Sequence, residues 1–318
     1  MNDFKSLVSK MKKDARVKEC FCDNFQCTGR IIKAHSIQNN RILNRISEDG
    51  LVVKLEGADE NGNFIINTEE IGRKIATVST NFCGFHDDLI FKPIESKDYQ
   101  KNTRNQEFLF AYRAFAKEYH VKLEVRNFQR NAMDMSTGLR KNDWKYSLTG
   151  TEIALEQLER EKLILNTSLE ECRFEILKTY IIEFHGHYDV AASSLFSIKH
   201  DLYGNQINDI QNLKKDLKHT FLSVFPQGNR TFVLISFYRK DQSYFSFFND
   251  QIMKKSIAEK KVIISNLILY HVENFVISPK LWRNLSQENK DTIRQVFLKT
   301  VNSFENRLSH LADINLFV

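Results

Sequence analysis

The stretch that decides the fold of this chain is Cys20-Phe-Cys22-Asp-Asn-Phe-Gln-Cys27, which is completed far downstream by Cys83-Gly-Phe-His86. Structural zinc sites use four sulfur or nitrogen ligands, usually supplied as two short-range pairs, because the ligands must converge on one point. Cys22 and Cys27 form one pair, and Cys83 and His86 form the other. Cys20 is an alternative to Cys22 that the spacing does not exclude. We therefore predict one structural Zn²⁺ held by Cys22, Cys27, Cys83 and His86.

The composition favours metal binding over disulfide formation. Only five cysteines occur in 318 residues, and four of them lie in this stretch. The first 18 residues lack the apolar segment of a signal peptide, and no apolar run approaches the roughly 20 residues that span a bilayer. We therefore expect a cytoplasmic protein with no membrane partner, whose thiols stay reduced. The alternative is that the cysteines are simply small buried hydrophobic residues.

The pattern of apolar residues predicts an α+β chain in three parts. Residues 1–100 carry the metal motif and short strand patterns. Residues 101–170 contain two strong helical stripes, at 108–125 and 149–169, which we expect to pair as a helical hairpin. Residues 171–318 mix strand patterns, such as Phe232 to Tyr238, with helical ones, and form an α+β domain whose role no motif indicates.

The connection at 126–147 mixes basic and aromatic residues. Such a mixture can hold single-stranded nucleic acid by stacking and charge. An ordinary exposed connection has the same composition, and we expect the latter.

Basic residues concentrate beside the metal motif. Residues 1–47 hold ten Lys and Arg against four acids, an excess of six that equals the net charge of the whole chain. A local basic excess favours phosphate-bearing partners. Arg30, Lys33, Arg41 and Arg45 are the candidates for binding nucleic acid. The alternative is an ordinary solvated surface.

The motifs resemble those of a known nuclease family. A cysteine knuckle, a strand ending in Ala34-His35-Ser36-Ile37 and a helix that opens with Cys83-x-x-His86 look like a treble-clef zinc finger. More narrowly, they resemble the ββα-metal core of HNH nucleases. The resemblance covers about the first hundred residues and requires an insertion between His35 and Cys83. The same motifs are similar to those of bacterial proteins, some of which resemble antiphage defence components.

The resemblance implies catalytic roles for three residues. His35 matches the histidine that acts as general base on water. Asp87 stands where the family has a metal-binding histidine, and Asn81 lies near the family's asparagine but closer to the final motif. A carboxylate suits a hard cation, so the implied catalytic ion is Mg²⁺ or Mn²⁺. The missing final histidine is the main departure from the family pattern.

Two functions fit these observations. The first is a metal-dependent HNH-like nuclease that cleaves phosphodiester bonds in DNA or RNA, with the C-terminal half binding a protein partner or associating with itself. The second is a non-catalytic, zinc-stabilised regulatory module that binds nucleic acid or protein.

Overall fold

The computed structural model describes residues 2–22, 27, 29–60, 63–302 and 312–318. Within these ranges the chain contains both long helices and a large sheet, which agrees with the predicted α+β class. The middle of the cysteine knuckle, residues 23–26, lies outside the described residues.

The described strands form one small and one large sheet. Their bounds are β1 Ile31–His35, β2 Leu51–Glu60, β3 Asn63–Gly72, β4 Val78–Cys83, β5 Leu177–His185, β6 Val190–Phe196, β7 Thr220–Gln227, β8 Arg230–Tyr238 and β9 Phe275–Ile277. β1 pairs with β4 as an antiparallel two-stranded sheet. The other strands form a seven-stranded sheet in the order β3-β2-β9-β6-β7-β8-β5, in which all neighbours are antiparallel.

Helices cover both faces of the large sheet. Their bounds are α1 Asn2–Asp14, α2 Asn44–Ile46, α3 Arg73–Ala76, α4 Gly84–Glu95, α5 Arg104–Asp134, α6 Gly138–Glu170, α7 Ile257–His271, α8 Pro279–Asn284 and α9 Gln287–Asn302. Short π-helical turns cover Asn39–Leu43 and Phe248–Met253. In the part of the chain that the structure describes, none of the helices is long and apolar enough to cross a membrane.

The side chains of strand β8 show why the large sheet is covered by a packed layer on each face. Its side chains are apolar on both faces, as expected for a strand that is covered on both sides. Ile235 and Phe237 belong to a core that α7, α8 and α9 help to form, whereas Phe232 and Leu234 point into a core shared with α2. Because alternate residues of a strand face opposite sides of the sheet, the sheet lies between two packed layers.

The two helices of the hairpin extend beyond the ranges that their apolar patterns predicted. α5 and α6 contain the two predicted helices and extend to residues 134 and 138, so that only Met135–Thr137 separate them. The connection at 126–147 is therefore mainly helical, and most of its residues from 134 to 147 are exposed, as expected. Arg130, Trp144 and their neighbours lie on helix, since polar surface positions tolerate helix as readily as loop.

The large sheet crosses the first predicted domain boundary. The β2–β3 hairpin lies within residues 1–100, yet Val53 of β2 pairs with Ile277 of β9. β9 in turn pairs with β6 through Val190 and Ile277. The insertion between His35 and Cys83 thus completes a sheet whose other strands come from residues 171–318. The boundaries at 100 and 170 remain a prediction.

A half-buried histidine whose ring nitrogen is fully buried makes the fold sensitive to acid. His271 ends α7, and its ring stacks on Phe196 of β6 with 4.9 Å between ring centroids. Its Nε2 is buried without a hydrogen-bond partner among the described residues. Burial lowers the pKa of His271 from 6.5 to about 4. Between these values the unfolded chain binds a proton that the folded chain excludes, so acid favours unfolding.

We expect His271→Phe to flatten this part of the pH dependence. The wild type should lose about 1 kcal/mol of unfolding free energy, relative to the variant, for each pH unit between 6.5 and 4. The phenyl ring keeps the stack on Phe196 without the titrating group. Urea denaturation at a series of pH values measures the difference. Parallel pH profiles for the two proteins would contradict the prediction.

Candidate functional site

Four side chains meet where β4 passes into α4. The ligand atoms of Cys20, Cys27, Cys83 and His86 all lie within 4.8 Å of one another. Nδ1 of His86 is 3.2 Å from Sγ of Cys20 and 3.4 Å from Sγ of Cys83. Three thiols and an imidazole at these separations could hold one metal ion.

The start of α4 prepares Cys83 to be a ligand. Cys83 is the N-cap of α4, and its sulfur accepts a hydrogen bond from the backbone amide of His86 at 3.4 Å. Burial by itself would raise the pKa of Cys83, but hydrogen bonds from the amides of His86 and Phe85 and from the thiols of Cys27 and Cys20 lower it overall. Helix N-termini stabilise thiolates in this way.

The pKa of Cys20 is shifted in the opposite direction from that of Cys83. Burial raises the pKa of Cys20 to about 12, although hydrogen bonds from the backbones of Cys83 and Cys22 oppose the rise. Without a metal ion Cys20 therefore keeps its proton at neutral pH. Metal binding must displace that proton, which makes metal affinity depend on pH.

The structure gathers Cys20 rather than Cys22. Cys22 is buried in an aromatic core with Phe21, Phe82 and Tyr112, and it is not part of the four-residue cluster. The backbone amide of Phe21 donates to the carbonyl of Asn81 at 2.8 Å, which fixes this segment along β4. Packing of Phe21 thus decides which neighbouring cysteine reaches the other ligands.

A glycine allows the close approach of the two ligand-bearing segments. A Cβ atom added to Gly29 would lie 3.1 Å from both Cβ and Sγ of Cys83. The amide of Gly84 also donates to the carbonyl of Arg30 at 3.2 Å. A larger residue at 29 would require Cys83 to yield by a few tenths of an ångström.

His35 lies at the end of β1, opposite Val78 of β4. It is half-buried, and its Nδ1 lies 3.3 Å from Oγ1 of Thr77. Burial lowers the pKa of His35 below 6.5, and the positive charges of Arg113 and Arg73 add to the effect while Glu95 opposes it. His35 is therefore a neutral imidazole at pH 7.

Asp87 follows the ligand His86 in the first turn of α4. Its Oδ1 is buried without a hydrogen-bond partner among the described residues. Burial raises the pKa of Asp87 to about 6, although Arg113 lowers it. Asp87 is thus mainly ionised at pH 7, with one oxygen that no described group satisfies.

A buried arginine paired with the partly exposed Glu95 acts electrostatically on both residues. Arg113 of α5 is 4% exposed, and its guanidinium donates to Oε1 of Glu95 at 2.6 Å. The same guanidinium stacks 3.8 Å above the ring of Phe91. Arg113 perturbs the pKa of both His35 and Asp87, which places the three in one electrostatic group.

Sequence reasoning did not single out Arg113 or Glu95. The available signal was an arginine inside the buried run of α5, between Tyr112 and Ala114. A charge at such a position needs a partner, because an unpaired buried charge is costly.

Asn81 has a structural environment. It is 4% exposed, its Oδ1 accepts a hydrogen bond from Oγ of Ser79 at 2.8 Å, and its carbonyl accepts from Phe21. These bonds hold the Cys20–Cys22 segment on β4. They do not link Asn81 to His35.

The basic candidates separate into two groups. Arg30 and Lys33 are exposed on the strand side of the site. Arg41 and Arg45 line a solvent-open cleft together with Lys97. Other lining residues are mainly apolar or aromatic: Ile42, Ile94, Tyr99, Phe110, Phe225 and Pro226.

The charges of the cleft are partly neutralised. Arg41 pairs with Asp98 at 2.7 Å and reaches the carbonyl of Glu95 at 3.4 Å. Arg45 and Lys97 are exposed and make no ion pair with the residues that the structure describes. Arg45 and Lys97 thus lie beside the aromatic residues of the cleft, next to the end of α4, with no acidic partner among the described residues.

Replacing the two neighbouring cysteines tests the ligand assignment. Cys20→Ser should lower the metal content of the purified protein well below one ion per chain, because a serine hydroxyl is a poor substitute for a thiolate. Cys22→Ala should keep one ion per chain and cost about 1 kcal/mol or more of unfolding free energy through lost packing. Elemental analysis and denaturation measure the two effects. The reverse pattern of metal loss would show that Cys22 is the ligand.

Comparison with known proteins adds no constraint to this site. No protein-family model, curated protein or solved structure matches the chain. The site is therefore defined by its own residues: the four-residue cluster, the His35 and Asp87 group, and the basic cleft.

Proposed function

We propose that this protein is a metal-dependent, HNH-like nuclease that hydrolyses phosphodiester bonds in nucleic acid. One arrangement carries the proposal. His35 ends β1, β1 pairs with β4, and β4 runs directly into α4, whose first residues include Cys83, His86 and Asp87. Two strands and a helix around one ligand cluster are what a treble-clef, ββα-metal core requires. The general base and the carboxylate stand on the two elements that such a core uses.

Zinc is the metal that suits the cluster best. Tetrahedral zinc takes cysteine and histidine ligands, and sulfur ligands about 2.3 Å from the ion stand about 3.8 Å apart. The side chains of Cys20, Cys27, Cys83 and His86 approach one another on this scale. Because the protein supplies all four ligands, the ion would be structural and would contribute to folding.

Asp87 is the residue that fits a second, catalytic cation. Its buried oxygen without a partner is a hard donor of the kind that Mg²⁺ and Mn²⁺ prefer. When bound, such an ion would stabilise the negative charge that develops on the phosphate and the leaving oxygen. Asp87 is largely ionised at pH 7 and would hold it directly.

His35 would act as the general base. A neutral imidazole can take a proton from an attacking water, and His35 is neutral at physiological pH because burial and Arg113 lower its pKa. The lowered pKa makes His35 a weaker base but favours the neutral form, which can accept a proton. Arg113 would thus contribute indirectly, through its charge.

The substrate would be held by its phosphates. Arg30 immediately precedes β1 and Lys33 lies within it, while Arg41, Arg45 and Lys97 line the cleft, and these are the cations that would contact phosphates. Such contacts bind DNA and RNA without reading their sequence. The C-terminal half would then bind a protein partner or a second copy, and destruction of invading nucleic acid is one setting for such an activity.

A second candidate is a zinc-stabilised module without catalysis. The observation that favours it is the Arg113–Glu95 ion pair. Arg113 already supplies a positive charge near Asp87, which disfavours a divalent cation there. In this alternative His35 has only a structural role at the end of β1. The basic surface binds nucleic acid or protein for a regulatory purpose.

Removal of the His35 imidazole tests the nuclease proposal. His35→Ala should lower the cleavage rate by about a hundredfold or more, which is the usual contribution of a positioned general base. The wild-type rate should be level above pH 6.5 and fall in more acidic buffer, because protonated His35 cannot accept a proton. A supercoiled plasmid and a single-stranded RNA serve as substrates, with Mg²⁺ or Mn²⁺ added.

The control for this test is His185→Ala, which removes an exposed histidine at the end of β5. Metal content and circular dichroism should be unchanged in both variants. If wild type cleaves neither substrate, or if His35→Ala cleaves as fast as wild type, the non-catalytic module replaces the nuclease.

Charge removal in the cleft tests the substrate-binding surface. Arg45→Ala combined with Lys97→Ala should weaken nucleic-acid binding about tenfold or more at low salt and reduce the slope of log Kd against log salt by about 1.5 to 2. Fluorescence anisotropy in EDTA, on a His35→Ala background, measures binding without cleavage. Lys214→Ala combined with Lys280→Ala removes the same charge away from the cleft. Equal losses in the two double variants would show that only net charge matters.

A further inference from the structure

Thr77 occupies a special position beside His35. It lies between α3 and β4 and is 3% exposed. Its Oγ1 is 3.3 Å from Nδ1 of His35 and 3.2 Å from the carbonyl oxygen of Ile37. One hydroxyl group therefore bridges the imidazole and the backbone that follows it.

The hydrogen bonds of the Thr77 hydroxyl determine which nitrogen of the His35 ring carries a hydrogen. A carbonyl oxygen can only accept, so the single hydroxyl proton of Thr77 goes to Ile37. Oγ1 then offers only lone pairs to His35, so Nδ1 must be the hydrogen-bond donor. In a neutral imidazole only one nitrogen carries hydrogen, so Nε2 keeps a free lone pair.

We propose that Thr77 is a positioning residue that holds His35 in the Nδ1–H tautomer and so makes Nε2 its basic atom. This inference deepens the proposed function, on which the catalytic meaning of the basic atom rests. The tautomer itself follows from the hydrogen bonds alone. Water and the scissile phosphate must approach His35 from the Nε2 side, away from Thr77.

A chain of hydrogen bonds keeps Thr77 in place. Ser36 donates to the Thr77 carbonyl through both its amide, at 2.9 Å, and its hydroxyl, at 2.8 Å. Nδ2 of Asn274 donates to the Ser36 hydroxyl at 2.9 Å and to the carbonyl of Ser193 at 2.7 Å. Ser36, Asn274 and Ser193 are buried.

This chain ties the imidazole to the large sheet. Ser193 belongs to β6, and Asn274 directly precedes β9. The hydrogen bonds around His35 therefore extend from the small β1–β4 sheet to the buried centre of the large sheet. Each hydroxyl in the chain gives one hydrogen and accepts one. The bonds from Ser36 fix the backbone carbonyl of Thr77, and the bond to Ile37 sets the direction of its hydroxyl.

Nitrogen NMR of the wild-type protein tests the tautomer directly. Protein labelled with ¹⁵N at histidine should show, for His35 at pH 7.5, a proton on Nδ1 and an unprotonated Nε2. The His35 signals are identified by their absence from His35→Ala. Free neutral imidazole side chains prefer the opposite tautomer, so the expected pattern has to come from the protein environment. A proton on Nε2 of wild-type His35 would overturn the proposal without any variant or activity assay.

Three threonine variants then test the role of the hydroxyl. Thr77→Val keeps the shape but removes Oγ1, and it should shift His35 towards the Nε2–H form and lower kcat about fivefold to tenfold with KM unchanged, as expected for one lost orienting hydrogen bond. Thr77→Ser should restore both. Thr220→Val is the matched control, because Thr220 is 1% exposed and its hydroxyl has no partner among the described residues.

The outcomes separate this proposal from the proposed function. An Nδ1–H signal that moves in Thr77→Val but not in Thr220→Val supports the positioning role, even if the wild type cleaves no substrate. Cleavage by the wild type with an unchanged His35 spectrum and unchanged kcat in Thr77→Val would leave the nuclease standing and overturn the role of Thr77.

Discussion

The meeting of four side chains that could hold a metal ion, Cys20, Cys27, Cys83 and His86, at the junction of β4 and α4 is the constraint on which the site depends. Cys20 and His86 are 66 residues apart, yet their ligand atoms lie 3.2 Å from each other. Backbone hydrogen bonds from Glu19 to Thr80 and from Phe21 to Asn81 hold the segment that carries Cys20 against β4. The position of Asp87 follows, because it is the next residue after a ligand on a rigid helical turn.

The second determinant is the charge buried under α4. Arg113 reaches Glu95 from within an apolar helix face, and its guanidinium rests on Phe91. A buried arginine is stable only with a partner of this kind. Its positive charge lowers the pKa of both His35 and Asp87, although burial is the larger influence on each.

The large sheet joins the two halves of the chain around this site. The β2–β3 hairpin, inserted between the first and last ligands, is an edge of the same sheet that contains β5 to β9. Through Asn274 and Ser36 the sheet also reaches the backbone beside His35. These buried hydrogen bonds connect the C-terminal half to the segment that carries His35.

The sequence by itself determined the local features of this protein. The spacing of Cys27, Cys83 and His86 indicated a shared ligand cluster, and the apolar stripes predicted α5 and α6, because both signals depend on residues close together in the chain. Only the tertiary structure chose Cys20 over Cys22, since that choice depends on where Phe21 packs among distant aromatic rings. The pairing of β2 with β9 and the place of Arg113 beside His35 were likewise decided by contacts between remote segments, whose partners no local pattern specifies.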